Sequence, residues 1–189
     1  LTEEFGIPEE KVKYIMQKSP EMAKLVRGQI SNEEFWNWFR KETDSTLSDA
    51  EFTGLWVRDY EIDQNVHSVV RLAKEKSFKT CVCTNNNGIR LPELVKRFKL
   101  NEVFDVIISS HEVGECKPHS KIFQALLDGV GVQADELVYT DDNPERLEGA
   151  RELGMQTFIF TTFDQYLKDL RTVGVDLTPE ETEISKFLK

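Results

Sequence analysis

From about residue 77 onward, short apolar runs alternate with segments that have the pattern of amphipathic helices. The runs predict strands and the segments between them predict helices, in the order 79–84, 90–99, 104–109, 119–129, 136–140, 144–153, 155–160 and 163–172. Parallel strands need a crossover connection, and a helix is the usual one. This part of the chain is therefore predicted to be α/β, with a parallel sheet.

The first 75 residues are predicted to be helical. Two segments, 31–34 and 48–51, have the Ser-x-x-Glu form of a capping box, which marks the start of a helix. Between them, four aromatic residues follow the spacing of one helix face, and such a stripe is expected to pack in a core: Phe35, Trp36, Trp38 and Phe39.

Composition limits the classes of protein that fit. The length of 189 residues, with 39% hydrophobic residues, suits a single soluble domain carrying a small insertion. A net charge of −10 argues against a nucleic-acid binder, and no apolar run is long enough to span a membrane. Three cysteines without a visible signal peptide predict a cytoplasmic protein, and their spacing matches no zinc motif.

Polar residues follow three of the predicted strands. Thr84 and Asn85 end the first, Lys117 comes after the second, and Asp141 and Asp142 end the third. Because ligands collect at the carboxyl ends of parallel strands, these residues are expected to converge on one edge of the sheet. Two adjacent carboxylates favour a cation beside them. The alternative for the acidic pair is a capping turn, with Asp141 or Asn143 at the start of the next helix.

The order of a strand-end hydroxyl, a Lys-Pro and an acidic pair resembles the haloacid dehalogenase-like (HAD) superfamily of hydrolases. The resemblance implies a three-layer, Rossmann-like core with a small α-helical cap. It divides the chain into a cap at 1–75, a core at 76–175 and a C-terminal tail at 176–189. It also implies a Mg²⁺-dependent phosphatase that acts on a small-molecule phosphate ester.

The resemblance assigns a role to each polar residue. Thr84 and Asn85 would hold phosphate oxygens, and Lys117 would neutralise the phosphoryl group. Asp142 would be the metal ligand, with Asp141 supporting it. The competing expectation for Thr84 and Asn85 is helix capping, and for Lys117 it is a solvated loop lysine.

The family's first motif, an Asp-x-Asp at the end of the first strand, does not occur in the 189 residues. Because residue 1 is Leu, we expect a longer natural protein that contributes this strand. The strands at 79–84 and 136–140 should then lie roughly 9 to 10 Å apart with a slot between them. Without the nucleophilic aspartate, this chain is predicted to be inactive.

One position departs from the family pattern: Arg146 stands where many relatives have Asn or Asp, four residues beyond the metal aspartate. Two alternatives to a phosphatase remain. The first is a haloacid dehalogenase-type hydrolase, although relatives of that type generally lack the paired aspartates. The second is a non-catalytic binding protein of the same fold.

Overall fold

The computed structural model describes residues 6–177, so most of the predicted C-terminal tail lies outside the described residues. The regular elements of the described range, in chain order, are helices α1 (Glu9–Lys18), α2 (Pro20–Val26), α3 (Asn32–Thr43), α4 (Asp49–Val57) and α5 (Gln64–Glu75), strand β1 (Cys81–Thr84), helices α6 (Arg90–Phe98) and α7 (Leu100–Val103), strand β2 (Val106–Ser109), helices α8 (Ser110–Val113) and α9 (Ser120–Val130), strand β3 (Val138–Asp141), helix α10 (Glu148–Glu152), strand β4 (Gln156–Ile159) and helix α11 (Phe163–Thr172).

Both predicted capping boxes form. The Ser31 hydroxyl accepts a hydrogen bond from the Glu34 backbone N–H at 3.1 Å, and the Glu34 carboxylate accepts one from the Ser31 N–H at 2.7 Å. Ser48 and Glu51 make the same reciprocal pair at 3.3 and 2.9 Å. These bonds satisfy backbone donors that the first turns of α3 and α4 would otherwise leave unpaired, and they fix where each helix begins.

The predicted aromatic stripe lies in a hydrophobic core formed by α1–α4. Phe35, Trp36 and Phe39 are buried, while Trp38 is partly buried and packs against them. Phe52 of α4 meets Trp36 and Phe39 edge-on, with ring centroids 4.6 and 4.5 Å away. Aromatic contacts of this geometry join α3 to α4, so the prediction of a core role is confirmed.

The predicted alternation of parallel strands and helices is confirmed, and each strand begins and ends within about two residues of its predicted bounds. The strands form two parallel pairs. β1 pairs with β2, placing Thr84 opposite Ser109, and β3 pairs with β4, placing Asp141 opposite Ile159. Within residues 6–177 the two pairs are separate two-stranded sheets, and β1 does not pair with β3.

Helices cover both faces of the strands. Tyr139 of β3 packs in one hydrophobic cluster with α9, while its neighbour Val138 packs in another with α5 and α11. Because successive side chains on a strand point to opposite faces, these clusters lie on opposite sides of β3. The helix α5 thus packs against α11, whereas α1–α4 form the aromatic core together with Ile89. The predicted division at residue 75 stays a prediction.

A cavity of about 400 Å³ lies beside the first residues of β1 and β3. Its walls include Thr80 and Cys81 on one side, Leu137 and Val138 on the other, and side chains of α5 and α11. The cavity is therefore located between the two strand pairs. None of the helices in residues 6–177 combines the length and apolar character needed to span a bilayer.

Candidate active site

The loop after β1 contains three consecutive asparagines, residues 85–87, which make different hydrogen bonds. Thr84 is the last residue of the strand and is half-buried. Asn87 is fully buried, and its side-chain oxygen accepts hydrogen bonds from the backbone N–H groups of Ile89 and Arg90. Asn87 therefore satisfies backbone donors at the start of α6. This is the capping role that the sequence offered as the alternative for Thr84 and Asn85.

Asn85 joins the loop after β1 to the Lys117 loop. Its amide nitrogen donates to the Lys117 carbonyl at 3.1 Å, and its amide oxygen accepts from the Lys117 N–H at 2.8 Å. These two bonds fix the backbone of Lys117 beside the end of β1. A primary amide has two N–H donors, so Asn85 keeps a second hydrogen for another acceptor.

Lys117 is a buried cation, with its side chain only 7% exposed. The ammonium donates to the Cys83 carbonyl at 3.0 Å, to the Tyr139 hydroxyl at 2.9 Å and to Asp141 Oδ2 at 2.6 Å. All three ammonium hydrogens are thus engaged. A solvated loop lysine would have none of these contacts, and Lys117 instead links the end of β1 to the end of β3.

Asp141 is the partner of that cation, and its side chain is 4% exposed. Its other oxygen accepts a hydrogen bond from the Asn143 backbone N–H at 3.0 Å. Burial alone would raise the pKa of Asp141, but the Lys117 ammonium and the Asn143 N–H outweigh it, and the pKa lies below its ordinary value. Asp141 is therefore an ionised group with both oxygens engaged.

Asp142 differs from its neighbour because it points into solvent, with its side chain 80% exposed. The next residue, Asn143, accepts a hydrogen bond from the Glu145 N–H at 2.9 Å and begins the 3₁₀ turn Pro144–Leu147. The capping turn weighed for this segment thus exists, and it coexists with an exposed carboxylate. Arg146, in the same turn, is 3.9 Å from a carboxylate oxygen of Asp141 and 3.9 Å from one of Asp142.

The chemistry of these donors can be compared with the needs of Mg²⁺. This ion usually keeps several waters and binds one or two protein carboxylates together with substrate phosphate oxygens. Asp142 is exposed and fits that description, whereas Asp141 is held by Lys117. In the described part of the chain, no three His, Cys, Asp or Glu side chains are grouped so as to form a metal site by themselves.

The Lys117 loop also packs closely on the helix that follows the acidic pair. A Cβ atom at Gly149 would lie 2.0 Å from the Pro118 carbonyl oxygen, so only glycine permits this contact without a shift. The contact holds the Lys-Pro segment against α10. The Asn85 side-chain amide and the close approach of Gly149 to Pro118 therefore both position the Lys117 loop.

Contacts from the N-terminal helices reach the same edge. The Ser110 hydroxyl lies 2.7 Å from the Val26 carbonyl and accepts from the Asn86 N–H at 3.0 Å. Arg90 donates to the Asn86 side-chain oxygen at 2.9 Å and to the Tyr60 hydroxyl at 3.0 Å. The loop after β1 is thereby joined both to α2 and to the segment after α4.

Sequence reasoning named Thr84, Asn85, Lys117, Asp141 and Asp142. In the structure Lys117 contacts both Asn85 and Asp141, whereas the Asp142 side chain is exposed. Sequence reasoning did not identify Tyr139, whose hydroxyl lies 2.9 Å from the Lys117 ammonium. A signal was available, since residues two apart on a strand face the same side and Tyr139 precedes Asp141 by two positions. Burial beside these groups raises the pKa of Tyr139, so it remains a neutral phenol.

Solved structures of other proteins share the fold of this chain. A HAD family enzyme from Bacteroides thetaiotaomicron, in complex with magnesium and inorganic phosphate, superposes with a TM-score of 0.71 at 22% identity, covering 80% of each chain. A predicted HAD-like hydrolase from Porphyromonas gingivalis gives a TM-score of 0.76 at 18% identity, covering 90% of this chain and 86% of that one. At these identities the likeness concerns the fold.

Sequence relatives add more specific likenesses. The chain is 34% identical over 111 residues to bifunctional epoxide hydrolase 2 of Mus musculus, covering 57% of this chain and 20% of that protein. It is 30% identical over 110 residues to a phosphatase of Mycobacterium tuberculosis, covering 56% and 51%. The chain thus spans between about a fifth and a half of the length of these relatives. The model of the haloacid dehalogenase-like hydrolases matches residues 3–160, and the chain belongs to that family.

Proposed function

We propose that the protein containing this chain is a Mg²⁺-dependent phosphatase that acts on a small phosphate monoester. The observation that carries the proposal is the buried Lys117 ammonium, which holds Asp141 at 2.6 Å and leaves the adjacent Asp142 exposed at the same strand end. Relatives support this reaction class, since they include a phosphatase of Mycobacterium tuberculosis and a glyceraldehyde 3-phosphate phosphatase of Pyrococcus furiosus.

The residues at the strand ends would divide the work of binding phosphate. Thr84 would donate its hydroxyl to a non-bridging phosphate oxygen, and Asn85 would offer the amide hydrogen that Lys117 leaves free. All three hydrogens of the Lys117 ammonium are engaged with protein acceptors, so Lys117 would act on the phosphoryl group through its positive charge. A fixed charge in a buried position is suited to stabilising negative charge that develops during the reaction.

Asp142 would hold the magnesium ion, and Asp141 would support it by fixing Lys117 and the turn at Asn143. When bound, Mg²⁺ would polarise a phosphoryl oxygen and offset the charge of the phosphate group. The oxygen donors of this segment suit Mg²⁺ better than a softer ion such as zinc. The likeness to a structure that contains magnesium and inorganic phosphate supports this assignment.

The nucleophile would be an aspartate that attacks phosphorus and breaks the P–O bond to the alcohol, which leaves as the free alcohol. Water would then hydrolyse the aspartyl-phosphate to inorganic phosphate and the free carboxylate. No Asp-x-Asp occurs in the 189 residues, so we propose that these residues by themselves do not turn over phosphate esters. A further strand, paired between β1 and β3, would supply the aspartate and unite the two strand pairs in one Rossmann-like sheet. The cavity between the pairs and the absence of β1–β3 pairing within residues 6–177 support this placement.

Helices α1–α4 would form the cap over this site, because they share an aromatic core and reach the loop after β1 through Ser110 and Arg90. The packing of α5 against α11 supports placing that helix with the α/β core. The three cysteines are free thiols, which suits the reducing conditions of the cytoplasm.

The test is a panel of phosphate esters presented to the full-length natural protein, with Mg²⁺ and with a chelator. Asp142→Asn should lower kcat/KM at least about a hundredfold and remove the magnesium dependence. Thr84→Ala should cost less, about tenfold to a hundredfold, because it removes one hydrogen bond to a charged group. Asp128→Asn, on the exposed side of α9, makes the same chemical change away from the site and should leave kcat/KM unchanged.

Other outcomes would lead to different conclusions. Metal-independent release of halide from a haloacid, without phosphatase activity, would identify a dehalogenase. Tight binding of a phosphate ester without turnover by the full-length protein would identify a non-catalytic binding protein. Turnover that Asp142→Asn leaves intact would refute the site assignment, and Mg²⁺-dependent turnover by the 189-residue chain alone would refute the proposal about its missing nucleophile.

A further inference from the structure

Arg146 has a defined position beside the acidic pair. It lies in the turn Pro144–Leu147, where its N–H donates to the Asn143 carbonyl at 3.0 Å. The turn places its guanidinium 3.9 Å from an oxygen of Asp141 and 3.9 Å from an oxygen of Asp142. The Arg146 side chain is 44% exposed and that of Asp142 is 80% exposed, so both groups reach solvent.

The charges of the four neighbouring side chains cancel. Lys117 compensates the buried Asp141 at 2.6 Å, which leaves the exposed Asp142 facing Arg146. A guanidinium in a protein carries a fixed positive charge. A divalent cation approaching Asp142 would therefore meet a fixed positive charge.

We propose that Arg146 is a tethered cation that competes with a divalent metal ion for Asp142 and weakens metal binding about tenfold. The inference rests on the proposed function, in which Asp142 is the metal ligand. Two unit charges 4 Å apart in water change a binding constant by about fivefold, and a divalent ion doubles the repulsive free energy at a given distance. At a separation somewhat greater than 4 Å, a tenfold effect is the expected size.

Because Arg146 and Asp142 are both exposed, Arg146 would weaken metal binding to Asp142 but would not prevent it. The contact between Arg146 and Asp142 is long, and both side chains reach water, so the ion pair itself is weak and the guanidinium can move aside. The metal would then bind Asp142 at the cost of this displacement and of the remaining repulsion. Added salt would screen both contributions.

The experiment compares Mn²⁺ binding by the full-length natural protein and its variants, at fixed ionic strength, with free Mn²⁺ counted by electron paramagnetic resonance. Arg146→Leu removes the charge without adding an oxygen ligand, and it should bind Mn²⁺ about tenfold more tightly than the wild-type protein. Arg151→Leu removes the same charge from α10, where Arg151 donates to the Thr157 hydroxyl at 3.1 Å, and should stay within about twofold of wild type. Adding Asp142→Asn to Arg146→Leu should abolish the gain.

Three results would overturn the inference: equal or weaker Mn²⁺ binding by Arg146→Leu, an equal gain in Arg151→Leu, or a gain that survives Asp142→Asn. If neither the full-length protein nor any variant binds Mn²⁺, both this inference and the metal role of Asp142 are overturned. Because the binding measurement needs no turnover, it can be interpreted even if the phosphatase assay fails. A Mg²⁺-dependent phosphatase whose affinity for Mn²⁺ is unchanged by Arg146→Leu would overturn only the role of Arg146.

Discussion

Lys117 and Asp141 form an ion pair that is almost completely removed from water, with an N–O distance of 2.6 Å and side chains 7% and 4% exposed. Two charges lose much of their hydration in such a place, and each is tolerated because the other is present. The pair also joins the two sheets, because Lys117 bonds to the Cys83 carbonyl at the end of β1. Its effects on stability and on the site can therefore be separated by mutation.

Replacing one member of the Lys117–Asp141 pair should lower the free energy of unfolding more than replacing both members. Lys117→Met should lower the free energy of unfolding by about 3–5 kcal/mol, because it leaves the Asp141 carboxylate buried without a counter-charge. Combining it with Asp141→Leu should restore part of that loss. Urea unfolding of the single and double variants checks this, with Lys121→Met as an exposed control expected within about 0.5 kcal/mol of wild type. Strictly additive losses would contradict the coupling.

The sequence predicted most of the regular elements because their signals are local. The capping boxes at Ser31 and Ser48 involve residues three apart, and the strands after residue 77 are recognised from short apolar runs. The joining of Lys117 to Asp141 was also within reach, because parallel strands bring their carboxyl ends to one edge.

The contacts that the sequence did not predict depend on side-chain geometry across the fold. Asn85 was expected to face phosphate, and its two bonds to the Lys117 backbone depend on how two loops meet. Tyr139 completes the surroundings of Lys117 only because β3 lies close to β1 without pairing with it. No periodicity within either segment encodes such distances.

Asp105 should make the stability of the fold sensitive to acid. Hydrogen bonding from the Thr80 backbone N–H, at 2.8 Å, and from Lys74 lowers the pKa of this carboxyl below its usual value. A lowered folded-state pKa contributes stability above the unfolded-state value of 3.8, and this contribution is lost as the pH falls further, through the folded-state pKa.

Asp105→Asn should therefore destabilise the protein by roughly 1 kcal/mol near pH 7, a modest figure because the carboxylate is partly exposed. The difference from wild type should shrink as the pH falls below 3.8 and through the folded-state pKa. Urea midpoints measured at pH 7 and at a series of pH values below 3.8 provide the measurement, with Asp128→Asn as the control. A difference that stays constant with pH would rule out ionisation as its cause.

Arg90 should hold the N-terminal helices to the loop after β1. Its guanidinium lies 5.3 Å from the centre of the Trp56 ring, and it donates to Tyr60 and to Asn86. Arg90→Leu should cost about 1–2 kcal/mol, since it removes a cation–π contact and two hydrogen bonds. Amide hydrogen exchange should accelerate in α4 while β1 and β2 keep their protection.

Lys96→Ala provides the matched control for Arg90→Leu, because Lys96 lies on the exposed side of the same helix. It should leave exchange in α4 unchanged. Equal acceleration in α4 and in the strands of the Arg90 variant would indicate global destabilisation instead of a lost anchor. If exchange accelerates in neither region, the other contacts of α2 and α4 are sufficient to hold the N-terminal helices to the loop after β1.

The thiols of β1 should be unreactive in the folded protein. Burial raises the pKa of Cys81 to about 11 and that of Cys83 to about 12, and the positive charge of Lys117 only partly offsets the effect at Cys83. The thiolate is the nucleophile, so at pH 8 roughly one Cys81 in a thousand would be reactive even if the reagent could reach it. Alkylation by iodoacetamide followed by peptide mass analysis should therefore find both residues unmodified in native protein and fully modified in urea. Rapid native labelling of Cys81 together with Cys83 would mean that β1 opens readily, and would contradict the packing of that strand against α9.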